Sequence, residues 1–155
     1  MISFATQIRK EQIMQTIWEA TYTLEQIEPT AQKFLQIAAP HEVWAFSGQL
    51  GAGKTTFVAA LMQALRCTDP VSSPTFSIIN HYKLPESQVF HSDWYRIADE
   101  EEAIQSGIED MMLQPGIKII EWWERAPELL PPNTLYISLS VLDAQSRKIE
   151  VKAES

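Results

Sequence analysis

The sequence predicts an α/β fold: a mixed, mostly parallel sheet flanked by helices, with a C-terminal antiparallel hairpin. Three observations carry that expectation. Short runs rich in β-branched and aromatic residues recur early, in the middle and late in the chain, with helix-period segments between them. The glycine-rich stretch GQLGAGKTT, residues 48–56, lies between one such apolar run and one such helical segment. The closing runs TLYISLSVL and RKIEVKA flank the turn-like DAQS, the pattern of two adjacent antiparallel strands.

The elements follow in order. Residues 1–20 mix charges with Ile8, Ile13 and Ile17 at roughly helical spacing, so they read as a short amphipathic helix or a loosely held extension. We divide the chain accordingly, into an extension over 1–21 and one domain over 22–155. Leu24 to Ile37 reads as a helix, and VWAFS, Val43 to Ser47, as a buried strand ending where the glycines begin. From Thr56 to Leu65 the residues Phe57, Val58, Leu61, Met62 and Leu65 recur every three or four positions, the stripe of a helix that packs on a core. Strands are expected in TFSIINHYKL from Thr75, QVFHSD from Gln88 and GIKIIEW from Gly116. Between the last two, the acidic run Asp99 to Glu102 marks a helix start, because carboxylates in a first turn complement the positive end of the helix dipole.

Composition narrows the function classes. With 155 residues, 45% of them hydrophobic, the chain can bury one real core but not two ordinary ones. No apolar run reaches the roughly 18–20 residues that span a bilayer, and Arg9, Lys10 and Glu11 interrupt the place where a signal peptide would need an apolar core. A cytoplasmic protein with no membrane partner is expected. The single cysteine, Cys67, cannot close an internal disulfide and reads as a small packing residue. A net charge of -8 argues against a surface that grips nucleic acid by neutralising phosphates, so any RNA would be held through a basic partner.

Within this frame GQLGAGKTT satisfies G-x-x-x-x-G-K-[ST], and the strand before it and helix after it supply the context that the motif requires. The fold is therefore expected to be P-loop NTPase-like. Glycines at 48, 51 and 53 let the backbone wrap an anion with its N–H groups turned inward, and the helix N-terminus adds positive partial charge at the same place. Lys54 would reach the β- and γ-phosphates, and the Thr55 hydroxyl would serve Mg²⁺. Two acids end apolar runs, Asp93 after VFHS and Glu121 after IKII; in open α/β sheets such ends converge on the ligand crevice, where an acid can hold metal or water. His91, two residues before Asp93, would share its face of the strand and orient that acid. His41, His81 and His91 are too scattered, with Cys67, to suggest zinc. The hydroxyl-rich loop VSSPTF brings Thr75 forward as a sensor of the γ-phosphate. The absence of N-K-x-D, which reads guanine in GTPases, makes ATP the expected nucleotide.

GQLGAGKTTF, VSSPTFSIIN, HSDWYRI, GIEDMM and IIEWWE occur in the order and spacing of the TsaE family, which the chain resembles from about Thr23 to the terminal hairpin. The resemblance implies a P-loop ATPase of bacterial tRNA threonylcarbamoyladenosine biosynthesis that binds ATP and Mg²⁺. Its partners would be a TsaD-type transferase, which places the threonylcarbamoyl group on the adenosine beside the anticodon, and a TsaB-type paralogue; tRNA would be met only through that complex. Hydrolysis would reset the complex between rounds, and the isolated chain would turn over weakly. By the same resemblance Gly51, Ala52, Gly53, Lys54, Thr55 and Thr56 would hold phosphates, Thr55 and Glu121 would serve Mg²⁺, and Asp93 would belong to the metal and water shell. Lys54, Glu121, Asp93 and the switch residue Thr75 would carry catalysis, and Thr23 and Arg147 would lie on the adenine side.

Three positions depart from the family pattern: Gln49 where Asp is common, Trp94 where Leu is usual, and Trp123 where proline stands. Trp122 keeps its place beside Glu121, either shielding the site, packing a partner or filling the core. Two rival functions share the cradle. A small-molecule or nucleoside kinase would normally carry a lid with several arginines, and only Arg96 lies between Asp93 and Glu121; a non-hydrolysing nucleotide-binding module would bind ATP without partner-stimulated turnover.

Overall fold

Strand alternation divides the core in two. In the computed structural model, which describes residues 14–49, 51–70 and 79–154, the strand β2 (Val43–Ser47) turns Trp44 and Phe46 to one side of a sheet and Val43 and Ala45 to the other. All four are buried, as expected of a central strand covered on both faces. The chain enters through β1 (Met14–Thr23), a 3-10 turn (Leu24–Gln26) and the helix α1 (Ile27–Ala38), then passes through β2 to α2 (Lys54–Ala64). It continues through β3 (Ile79–Lys83), β4 (Gln88–Asp93), the short helices α3 (Glu100–Gln105) and α4 (Ile108–Met112), and β5 (Ile117–Glu121). Two further 3-10 turns lead to the closing hairpin β6 (Leu135–Val141) and β7 (Ser146–Glu154).

These strands form one sheet in the order β1-β7-β6-β2-β5-β4-β3. The centre, β6-β2-β5-β4, is parallel, and both margins are antiparallel. The expected mixed sheet and terminal hairpin are therefore present, with the parallel character confined to the middle. The helices α1 and α2 cover one face, where Phe34 meets Trp44 and Phe57 edge-on at centroid distances of 5.2 and 5.9 Å. Each such pair adds about 0.5–1.5 kcal/mol beyond the apolar area it buries. On the opposite face Ala103, Ile108 and Met111 pack against Ala45, Ile120 and Tyr136. Asp99 caps α3 by accepting from the Glu102 amide at 2.9 Å, which accounts for the acidic run at that helix start.

One expectation fails. Ile17 lies on a strand, not on an amphipathic helix: Met14–Thr23 pairs antiparallel with β7 over almost its whole length, with a bulge between Thr16 and Trp18. Thr16, Ile17, Trp18, Thr21 and Tyr22 suit a pleated surface, and the row Ile149, Val151 and Ala153 on β7 gives the strand its apolar neighbours. Such pairing outweighs the local spacing of three isoleucines; Ile8 and Ile13 lie outside the described residues. The strand expected from Thr75 is described only from Ile79. No helix among the described residues is long and apolar enough to cross a membrane.

Because β2, β5 and β4 are adjacent and parallel, their C-terminal ends meet at one edge of the sheet. Glu121 stands in register with Phe46 on one side and Asp93 on the other. The chain after Ser47 turns across that edge to start α2.

Candidate functional site

The turn after β2 is built from backbone conformations that ordinary residues avoid. Gly48 has φ of 155°, and a Cβ there would stand 2.7 Å from the Leu139 carbonyl oxygen, so only glycine lets the loop leave the sheet so close to β6. Gly53 has φ of 92° and sits at the N-cap of α2, handing the chain directly to Lys54. Between them the Ala52 amide donates to the Gln49 carbonyl at 3.0 Å, which closes the turn, and Ala52 is buried beneath it. Gln49 thus contributes its backbone to the turn whatever its side chain.

Lys54 begins α2 with its Nζ 5.2 Å from the centroid of the Trp122 ring, a distance at which an ammonium is attracted to the π face. Trp122 follows Glu121 with φ of 58°, the left-handed region that costs a non-glycine residue about 1–2 kcal/mol. It is partly exposed, not core, and its ring packs on Tyr95 at 4.9 Å, while the Arg125 guanidinium lies 5.7 Å from the same tyrosine. Ser47, Gly48, Lys54, Trp122 and Arg125 line a cavity of about 340 Å³.

The two expected acids lie on neighbouring strands in direct register. Glu121 is buried and accepts a hydrogen bond from His91, Nε2 to Oε2 at 2.7 Å. His91 thus serves Glu121 rather than Asp93, a correction to the expected pairing. Alternation does place His91 and Asp93 on one face of β4, but the ring reaches across to β5 instead of along its own strand. Asp93 Oδ1 accepts from the Tyr95 amide at 2.8 Å. Burial pushes the Asp93 carboxyl above the ordinary carboxylate range and the Glu121 charge adds to that, against the lowering influence of the Tyr95 amide, His91 and Lys54.

On the other side of the glycine loop lies a larger cavity of about 560 Å³, lined by Tyr22, Thr23, Leu24, Ile27, Gln145 and Arg147 together with Gly53 and Thr56. Thr23 ends β1 opposite Ser146, and Tyr22 is opposite Arg147, so the β1–β7 ladder brings the two residues together from opposite ends of the chain. Arg147 is braced by donating from Nη1 to the carbonyls of Asp143 and Ser146, both at 3.0 Å. A Cβ on Gly53 would stand 3.9 Å from Arg147 Nε, so the guanidinium borders the loop itself.

Of the residues singled out in the sequence, Gly53, Thr56, Thr23 and Arg147 meet in the larger cavity, Lys54 faces the smaller one, and Asp93 and Glu121 flank each other at the sheet edge. Thr75 lies outside the described residues. Tyr22, Gln145 and Arg125 carry no short-range signal, because strand pairing or ring contacts bring them in, and Tyr95 lies within HSDWYRI without a role of its own in the sequence reading. Among the described residues no group of three or more His, Cys, Asp or Glu side chains could hold a metal by itself. The hard oxygen donors Thr55, Asp93 and Glu121 fit Mg²⁺, which usually takes one or two protein carboxylates and completes its shell with phosphates and water.

The family model described as "Threonylcarbamoyl adenosine biosynthesis protein TsaE" matches residues 21–149. Among curated proteins, the chain is 34% identical to the tRNA threonylcarbamoyladenosine biosynthesis protein TsaE of Aquifex aeolicus over 147 residues, covering 94% of this chain and 97% of that protein. Its counterparts in Bacillus subtilis and Rickettsia typhi are each 33% identical, covering 86% and 81% of this chain and 83% and 87% of their own lengths. Among solved structures, that of Bacillus subtilis YdiB superposes with a TM-score of 0.68 at 25% identity, covering 92% of this chain and 86% of that one.

Proposed function

This chain belongs to the TsaE family of tRNA threonylcarbamoyladenosine biosynthesis, and from that membership we propose that it is the family's ATP-binding and ATP-hydrolysing subunit, its hydrolysis coupled to cycling of the threonylcarbamoyl transferase complex. The observation that carries the reading is the edge at which three parallel strands end: β2 runs through a left-handed glycine turn into α2 at Lys54, while Asp93 and Glu121 end the neighbouring strands. A strand, a glycine turn and a helix N-terminus make a cradle for phosphates.

In this reading residues Gly51 to Thr56 hold the phosphates by backbone N–H groups and the helix dipole, and Lys54 leaves the Trp122 face to meet the β- and γ-phosphates. The larger cavity takes adenosine, with Tyr22, Leu24 and Ile27 giving it apolar walls and Thr23 and Arg147 closing its edge. Mg²⁺, when bound with ATP, neutralises charge that develops on the phosphates. Thr55 and Glu121 hold that ion, Asp93 orders its water shell, and Thr75 senses the γ-phosphate. The protein works in the cytoplasm with a TsaD-type transferase and a TsaB-type paralogue, its acidic surface suiting a partner that carries the basic tRNA-binding face.

Turnover of ATP, measured for the isolated chain and again with both partner subunits, tests the proposal. Slow release of free phosphate alone, strong stimulation by the partners and loss of that stimulation in Lys54→Ala and Glu121→Ala are expected. Turnover unchanged in both variants would refute it, and a phosphorylated small-molecule acceptor would favour a kinase.

A further inference from the structure

We infer that His91 is a positioning residue for the metal-binding carboxylate: its Nε2–H fixes Glu121 Oε2 and so presents the other oxygen, Oε1, to the divalent ion. This rests on the reading of Glu121 as a Mg²⁺ ligand and adds the group that aims it.

The geometry is specific. His91 pairs with Ile119 and Asp93 with Glu121, so His91 sits one pair behind the acid on the adjacent strand and reaches it diagonally. Val89 and Ile119 on that face belong to the core beneath α2, the helix that begins with Lys54. Both side chains are almost wholly buried and 2.7 Å apart. An ionised carboxylate only accepts, so Nε2 carries the proton in this bond. Among the described residues the other ring nitrogen, Nδ1, is buried without a hydrogen-bond partner. Buried polar groups are ordinarily hydrogen-bonded; among the described residues the ring's one polar tie is to the acid. The Glu121 backbone is held from the same strand connection, its carbonyl accepting from the Trp94 amide at 3.0 Å. Glu121 is thus fixed at main chain and side chain alike, and histidine–carboxylate contacts behind metal sites are known to tune affinity in this way.

Three full-length variants separate positioning from packing. His91→Gln sets an amide nitrogen near the place of Nε2, His91→Asn sets it near that of Nδ1 and cannot reach Glu121, and His91→Leu removes the donor. Mn²⁺ affinity is read by electron paramagnetic resonance with a non-hydrolysable ATP analogue bound, and nucleotide affinity is read separately in EDTA. The asparagine and leucine variants are expected to bind Mn²⁺ about 10–100-fold more weakly, with metal-free nucleotide affinity unchanged and the glutamine variant restored to within a few-fold of the native protein. Should leucine fail to fold, the glutamine and asparagine variants decide alone. Native Mn²⁺ affinity in the asparagine variant, or equal loss in asparagine and glutamine, overturns the assignment. Glu121→Gln run alongside separates the causes: if it weakens Mn²⁺ binding while His91→Asn does not, only the positioning role fails, whereas if it too is silent, the reading of Glu121 fails with it.

Discussion

Two cavities flank the glycine loop, and they are made in opposite ways. The smaller lies beside Lys54, Trp122 and Arg125, and left-handed backbone at Gly48 and Trp122 holds its walls. The larger, beside Thr23 and Arg147, owes its shape to β1 lying against β7 and to the turn between β6 and β7. One is a matter of local chain geometry, the other of long-range strand pairing. Because the phosphates carry the nucleotide's charge and Lys54 meets them in the proposed reading, most of the binding strength is expected on the phosphate side.

Lys54→Ala should have the largest effect. Removing the cation that meets the β- and γ-phosphates takes away charged hydrogen bonds worth about 1.5–3 kcal/mol each, so a loss of about 100-fold is expected, read as ATP affinity by calorimetry, with the fold retained because Lys54 is not part of the core. An equal loss from a change in the larger cavity would break the contrast. Gly48→Ala comes next: its Cβ would meet the Leu139 carbonyl at 2.7 Å, and such overpacking costs about 1–3 kcal/mol, visible as a lower midpoint in urea. Arg147→Ala should weaken ATP binding only about tenfold, the scale of one hydrogen bond to a charged group, and leave turnover of bound nucleotide unchanged.

The smallest effect concerns Asp93 and bears on stability. Its folded-state pKa is raised, chiefly by burial, so the folded chain holds that proton more tightly than the unfolded chain does. The associated stability is present at low pH and is lost as pH rises through the raised folded value. Asp93→Asn, which stays neutral and can still accept from the Tyr95 amide, should melt slightly above the native protein at neutral pH. The advantage should vanish below the ordinary carboxylate value of 3.8, in thermal melts across that range. A gain that persists in acid would point to packing instead.

The same contrast explains what could be read from the residues alone. Val43–Ser47, Gln88–Asp93 and the terminal hairpin are short apolar or alternating runs with clear punctuation, and their places in the chain match the observed strands. GQLGAGKTT carries its own geometry, because glycine tolerance and helix start are local properties. The larger cavity has no such signature: nothing near Thr23 names Arg147, and only the family resemblance put them together. The helical reading failed over residues 14–20, the described part of that segment, for the same reason, since the apolar partners of Met14–Thr23 lie on β7, far along the chain. His91 shows a finer limit: alternation gave its face, but the choice between an acid on its own strand and one on the next depends on the β4–β5 register.

Multiple-turnover tRNA threonylcarbamoylation, reconstituted with the TsaD-type and TsaB-type subunits and ATP, tests the central claim most directly. With this chain present, modification should continue through many rounds, and without it, or with Lys54→Ala in its place, should stop after about the first. Equal modification with and without the chain would contradict the account.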